Sequence, residues 1–397
     1  MTTKLGRILA RDGRFRPVEL SIKSLDDKSV TKLVNFLGYQ FSSSIVVPVD
    51  SFSFTFSSVD PSPFTDRFAE GDIVSLEADL VQVATGIIDQ IEITVDAESG
   101  EMVTVNGRDL MSQLEDNNAV TETKRPQWGS NMTLKAVTSD LIDGTRIQDV
   151  ELIDAPTIST LFATEPGESR LSALMRFMEP LNIVAWTSPD GKLVVGKPAF
   201  DSPILGELII NKTRRISNVL SMRATMSATS IPNKMIVLWS SVQNTKIGLD
   251  GNQVYKNNAD GPARLLSKNH NVIKTVMTSI PTGADAQSLS AAAFFQTANA
   301  AGKTVLQAQA KREFARANFN ELLVQCVVPG HYNDAGDPYM PNTMYHVTFD
   351  RASIDKPMYL YAVDWHLSQE RGQWTVLSLC NANTIVSDTK VPSSRSG

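Results

Sequence analysis

The sequence predicts a mainly β protein with α+β inserts: two antiparallel β-barrel domains plus two smaller inserted domains. Three observations predict it. Apolar and polar residues alternate with period two from residue 43 to 120 and again over the last 70 residues, the pattern of sheets with one buried face. Helical spacing is confined to the stretches between them. A chain of 397 residues is also too long for a single small module, at one domain per roughly 150 residues.

In chain order, residues 4–23 read as two short strands around Arg11-Asp-Gly-Arg14, because Asp-Gly favours the positive-φ positions of a hairpin. Ser24-Leu-Asp-Asp27 resembles a capping box. With Val30, Leu33, Val34 and Leu37 at helical spacing and Gly38 at the end, it predicts a helix over 25–37. Phe52, Phe54 and Phe56 alternate with Ser51, Ser53 and Thr55. Further strands fit 73–77, 80–85, 87–95 and 102–106, with breakers at Gly71-Asp72, Gly86 and Ser99-Gly100. These complete a first barrel, residues 1–118.

An α+β domain is expected over 119–205. Helical patterns at 132–142 and 168–179 precede Ile183-Val-Ala-Trp186, the turn Ser188-Pro-Asp-Gly191 and the strand Lys192-Leu-Val-Val195. Strands at 207–211, 217–227 and 234–240 open the second barrel, residues 206–243 and 300–386. A polar and helical insert, 244–299, interrupts it. Asn244–Gly261 reads as an exposed excursion, and Lys303 to Asn318 as a helix. Strands at 321–328, 344–350, 358–368 and 374–382 close the barrel, with turns at Asn333-Asp-Ala-Gly336 and Arg371-Gly372, before a flexible tail, 387–397. No period of 20–50 residues repeats in the letters.

Composition limits the function classes. Hydrophobic residues are 42% and charged residues 20%, enough to bury large cores. The net charge of −6 argues against a whole surface that grips nucleic-acid phosphates. Residues 60–122 hold fifteen acids against only Arg67 and Arg108, a block of net −13. Acids on the wet face of a sheet explain it, as does a surface that repels polyanions or meets a basic partner. No apolar run approaches the ~20 residues of a membrane span, so no membrane anchor is expected. Two cysteines, Cys326 and Cys380, make no disulfide framework, and Met1-Thr-Thr-Lys-Leu-Gly-Arg lacks a secretory core; synthesis in a reducing cytoplasm is expected.

No constellation of residues carries catalysis. The chain has four histidines and no Gly-x-Ser-x-Gly elbow, phosphate loop or dinucleotide motif. His331, His346 and His366 fall in strands or turns and read as packed or exposed side chains. His331 with Asp334 and Asp337 offers metal-type ligands within one turn, but without zinc or calcium-loop spacing, so a turn stabilised by its own Asp residues is the simpler reading. Cys326 and Cys380 read as buried hydrophobes. We therefore expect no catalytic, cofactor-binding or metal residues, no cofactor, and no enzyme.

Several segments in order carry a family resemblance. Phe68-Ala-Glu-Gly-Asp-Ile-Val-Ser-Leu76, Thr85-Gly-Ile-Ile-Asp89, Val103-Thr-Val-Asn-Gly-Arg-Asp-Leu110 and Leu114-Glu-Asp116 resemble the N-terminal barrel of Mu-like baseplate hub proteins of contractile-tailed bacteriophages. Arg170-Leu-Ser-Ala-Leu174 and Asn182–Val195 resemble the second domain, and Ile216-Ser-Asn-Val-Leu-Ser-Met222 the entry to the second barrel. Val328-Pro-Gly-His331, Asn342-Thr-Met-Tyr345, Asp364-Trp365 and Gly372-Gln-Trp-Thr-Val-Leu377 complete it. The architecture is shared with spike-base proteins of type VI secretion and other contractile injection systems.

The resemblance implies tail-tube-like barrels and a homotrimer whose six barrels form a pseudo-hexameric ring around a channel for DNA in transit. It implies as partners the tail tube protein, the central spike protein, other baseplate or wedge proteins and the tape measure protein. The implied location is the virion tail baseplate, reached from the host cytoplasm during assembly. It also makes Gly86 and Gly107 tight strand ends, and Arg108 with Asp109 an ion-paired corner leaving the first barrel. The alternatives are a tail-associated polysaccharide- or peptidoglycan-degrading enzyme using acids of the 60–122 block, and a receptor-binding tail protein.

Overall fold

The computed structural model describes residues 18–23, 30–33, 36–57, 69–78, 81–96, 100–120, 127–128, 133–153, 162–178, 183–211, 217–227, 234–240, 249–256, 273–279, 315, 319–382 and 384–385. The helix expected over 303–318 lies outside these save for Ala315, which is helical. The tail 387–397 and the first strand of the expected N-terminal hairpin also lie outside them.

The N-terminal strands are β1 (Val18–Lys23), β2 (Val30–Leu33), β3 (Gly38–Ser44), β4 (Ser51–Ser57), β5 (Ile73–Ala78), β6 (Val81–Asp96) and β7 (Gly100–Asp109). Next come α1 (Ser112–Asp116), β8 (Gln127–Trp128), α2 (Leu134–Ile142), β9 (Val150–Ile153), β10 (Phe162–Ala163), α3 (Arg170–Met178), β11 (Val184–Thr187) and β12 (Leu193–Gly196). The rest are β13 (Ile204–Ile210), β14 (Ser221–Met226), β15 (Lys234–Ser240), β16 (Leu249–Lys256), β17 (Ile273–Ser279), β18 (Leu322–Pro329), β19 (Thr343–Phe349), β20 (Ile354–Ser368) and β21 (Gly372–Cys380). The fold is mainly β, as expected.

Thirteen strands form one sheet. Its path runs β14-β18-β21-β20-β3-β4-β7-β6-β5-β1-β2, with β19 on β20 and β13 parallel to β19. The two strand sets expected to form separate barrels are thus joined laterally in one sheet: residues 362–368 of β20 pair with β3 from Ala362↔Ser44 to Ser368↔Gly38. One buried cluster runs through both, from Leu20, Phe54 and Val105 to Cys326, Trp365 and Leu379.

The two strand sets are a structural duplication that the letters do not display. The orders β3-β4-β7-β6-β5 and β14-β18-β21-β20-β19 correspond strand for strand. The registers coincide at a separation of 272 residues: Phe54↔Val105 matches Cys326↔Leu377, and Ile93↔Val103 matches Trp365↔Thr375. Both long strands carry a bulge at the same point, Asp89 in β6 and Tyr361 in β20. Gly100 and Gly372, which open the return strands, share positive φ angles of 78° and 75°. The match stops at the outer strand, since β1 lies antiparallel to β5 whereas β13 is parallel to β19.

Several expectations need correction. Residues 30–33, assigned to a helix, form β2 against β1, where Val30-Thr31 suits a strand and pairing with β1 outweighs the i, i+3 spacing. Gly86 is no breaker and Gly107 no strand end: β6 is continuous through Gly86, and Gly107 sits inside β7. Both are small because the Phe52 ring lies over them. A Cβ on Gly86 would stand 2.6 Å from Phe52 Cε1, and one on Gly107 2.3 Å from its Cζ. β15, placed in the second barrel, pairs instead with β16 and β17 in a separate sheet, because an apolar run does not encode which sheet it joins. β16 also makes a strand of part of the expected excursion 244–261.

The α+β module holds helices and a hairpin close to expectation, with β9 added parallel to β12. Its core, formed by Val137, Leu141, Leu171, Leu174 and Val195, extends into Ile87, Leu110 and Met111 from the first strand set. Thr133 caps α2 by accepting from the Ala136 N–H at 3.2 Å.

Candidate functional site

A cavity of about 160 Å³ lies where the first strand set, the β11–β12 hairpin and the second strand set meet; Asp50, Thr85, Asp109, Thr187 and Asn342 line it. Its two carboxylates come from opposed positions. The β4–β7 register ends at Ser51↔Arg108, and the Asp109 N–H donates to the Asp50 carbonyl at 3.0 Å, which continues the ladder and sets both side chains on one face. Asp50 Oδ1 accepts from the Ser44 N–H at 2.7 Å, and Asp109 Oδ2 from the Thr187 hydroxyl at 2.6 Å. Burial drives the Asp109 carboxyl up to about 7 and that of Asp50 well above its ordinary value, where the neighbouring Asp109 adds to the rise. Burial also raises Asp364 of β20 to about 6.

The volume falls below the roughly 300 Å³ at which small-molecule sites begin. What the residues around it do is hold the hairpin to the sheet: the Thr187 bond is joined by Thr85 Oγ1 donating to the Pro189 carbonyl at 2.8 Å. On the other side, Trp186 and Val194 pack with Met344, Tyr359 and Cys380 of the second set.

A directed hydrogen-bond chain crosses the β3–β20 junction. Thr375 Oγ1 donates to the Gly330 carbonyl at 2.7 Å, so it accepts from His331 Nδ1–H at 2.8 Å. That leaves Nε2 to accept from the Tyr39 hydroxyl at 2.5 Å, and the Tyr39 oxygen accepts from Gln373 Nε2 at 3.3 Å. Burial lowers the His331 imidazole to about 3. His331 is thus a neutral structural residue. Asp334 and Asp337 follow it in a turn organised by Asn333, whose Oδ1 accepts from the Ala335 and Asp337 N–H groups. Among the described residues no group of three metal-ligating side chains converges.

The remaining residues singled out from the sequence lie apart. Cys326 and Cys380 are buried, and burial raises both thiols to about 12. The His366 ring stacks on Trp374 with centroids 5.0 Å apart, while His346 Nε2 is 3.7 Å from Asp355. The expected Arg108–Asp109 pair does not form, because neighbours on a strand face opposite sides. Arg108 instead forks onto Asp89, at 2.7 Å from Nε, and onto Asp116, at 2.8 Å from Nη2. The bulge at Asp89 turns its carboxylate toward the guanidinium. The acidic block is likewise divided. Asp72 and Asp109 are buried, Asp89 and Asp116 serve Arg108, and Glu92 is exposed on β6.

The outer half of β6 is the feature that the sequence reading passed over. Beyond Ile87, which pairs with Ile73 of β5, it pairs with β7 alone among the described strands. Ile93 and Val95 are 45% and 77% exposed there; on β14, at the end of the sheet, Met226 is 53% exposed. The alternation Ile91, Ile93, Val95 reads as one apolar face; Ile91 packs against the core, while Ile93 and Val95 have no covering strand among the described residues.

No family model matches the sequence, and no curated protein matches it. Solved structures do. A tail protein from Neisseria meningitidis superposes with a TM-score of 0.71 at 23% identity, over 92% of this chain and 98% of that one. The 43 kDa tail protein of prophage MuSo2 from Shewanella oneidensis gives 0.71 at 16% identity, over 92% and 99%. An E. coli component of the type VI secretion system, described as structurally similar to bacteriophage tail proteins, gives 0.51 at 12% identity, over 91% and 76%. Over nine-tenths of its length the chain has the fold of phage and prophage tail proteins, the fold that its sequence motifs resemble.

Proposed function

We propose that the chain is the structural hub of a contractile-tail baseplate. Three copies form a ring of six barrel units around a channel, join the tail tube to the central spike, and let DNA pass. The observation that carries the reading is the lateral union of two strand sets with one strand order in a single sheet. A subunit that already holds two equivalent ring units converts three-fold symmetry below into six-fold spacing above. The fold shared with phage and prophage tail proteins supports the same reading, and the type VI component of similar fold extends it to injection machines.

The chemistry agrees with a wall rather than a reagent. The buried polar groups at the junctions, Asp109 with Thr187 and Tyr39 with His331, are spent on fixing one part of the subunit against another. Partners in this reading are the tube, the spike, the surrounding wedge proteins and the tape measure protein, and the place of work is the virion baseplate after assembly in the host cytoplasm. Mass measurement of the purified chain and imaging of assembled tails test it: a trimer on the central axis is expected, and a peripheral or monomeric component in the finished particle contradicts it.

A further inference from the structure

The duplication has one joint inside the chain, and it specifies a second. Within the subunit, residues 362–368 of β20 pair with residues 38–44 of β3. By the registers of the two sets, residues 90–96 of β6 correspond to 362–368, and residues 221–227, which include β14, correspond to 38–44. Among the described strands, neither the outer half of β6 nor β14 has a neighbour on its outer side. We propose that residues 90–96 of one copy pair antiparallel with β14 of a second copy, in the register that β20 and β3 use within the chain. The proposal rests on the ring reading above and names the edges that make the ring.

The side chains fit when the register is transferred. On one face Ile91 stands opposite Met226, Ile93 opposite Ala224 and Val95 opposite Met222, an all-apolar row. Its counterpart inside the chain is Val363 opposite Ser43, Trp365 opposite Phe41 and Leu367 opposite Tyr39. On the other face Glu92 stands opposite Thr225 and Thr94 opposite Arg223, which puts the Arg223 guanidinium within diagonal reach of Glu92. A shift by one residue would set the apolar row against Arg223 and Thr225, so the fit is register-specific. The pairing covers the exposed Ile93, Val95 and Met226, and removes two strand edges that would otherwise invite aggregation. Because the two edges differ, the contact is head-to-tail and can close into a ring.

The test is oxidative cross-linking of the full chain carrying Ile93→Cys and Ala224→Cys together. Directly opposed positions bring Cβ atoms near disulfide distance. The native Cys326 and Cys380 are buried and stay silent. The expected product is a covalent trimer, with none from either single variant and none from Ile93→Cys with Thr225→Cys, whose second site faces the other way. As an independent arm, Arg223→Glu should weaken self-association roughly five- to ten-fold, and adding Glu92→Arg should restore it. A chain that sediments as a trimer yet gives no cross-link overturns the edge assignment while leaving the trimer reading intact. A cross-linked ladder that does not stop at three keeps the edges and defeats the ring. A chain that stays monomeric throughout overturns both.

Discussion

The Tyr39 hydroxyl lies 2.5 Å from Nε2 of His331, a residue 292 positions further along the chain. The bond ties β3 of the first strand set to the second at the seam where they become one sheet. Tyr39→Phe leaves Nε2 buried without its donor, and we expect a loss of about 1–3 kcal/mol in urea denaturation. A neutral result would show that the junction does not depend on this chain of bonds.

The same histidine gives a signed pH effect. Burial holds His331 at about 3 in the fold, below its ordinary 6.5. Between those values the unfolded chain binds the proton and the folded chain does not. Its contribution is complete above about 6.5 and is lost as pH falls toward about 3. The stability difference between wild type and His331→Asn should therefore shrink over that window. A difference that is flat with pH contradicts a buried neutral imidazole.

Asp109 works in the opposite sense. Its carboxyl is raised from 3.8 to about 7, so its contribution is complete below about 4 and is lost as pH rises through about 7. Asp109→Asn keeps an acceptor for Thr187 and removes the charge. Melting temperatures of the two proteins between pH 4 and 8 should change with pH in the wild type more steeply downward than in the variant; parallel curves would refute the assignment.

Gly107 leaves no space for a methyl group, since a Cβ would stand 2.1 Å from the Ile87 carbonyl oxygen as well as against Phe52. Gly107→Ala should cost at least about 2 kcal/mol, and trimming Phe52 to Leu should not recover it, because the backbone contact remains. Denaturation midpoints of the single and double variants decide the matter.

The Arg108 fork is only partly shielded, with 31% of the side chain exposed. Arg108→Ala should therefore lose roughly 1 kcal/mol at low ionic strength and less at high salt. A loss independent of salt would point to packing rather than charge.

Much of this architecture was legible in the letters. The phenylalanine alternation in β4, the helical spacing of Leu171, Leu174, Met175 and Met178, and the Pro-Asp-Gly turn before β12 each report a local preference that the fold keeps. What was not legible is what depends on partners distant in sequence. Val30 and Leu33 satisfy a helical spacing as well as a strand, and only β1 decides between them. Gly86 reads as a breaker until the Phe52 ring is placed over it. The β15 segment is equally apolar whichever sheet receives it. The buried carboxylate pair was hidden for the same reason, since Asp50 and Asp109 are brought opposite each other by the β4–β7 register, not by spacing. The duplication shows in hydrogen-bond registers and bulges, which are backbone properties that different side chains satisfy equally well.

The most direct measurement is an image reconstruction of an assembled tail that carries this chain, at a resolution that separates strands. Three copies on the axis, six barrel units in one closed ring, and continuous strand pairing both within and between subunits are expected. A chain found off the axis, or a ring whose subunits touch without joining their sheets, would contradict this expectation.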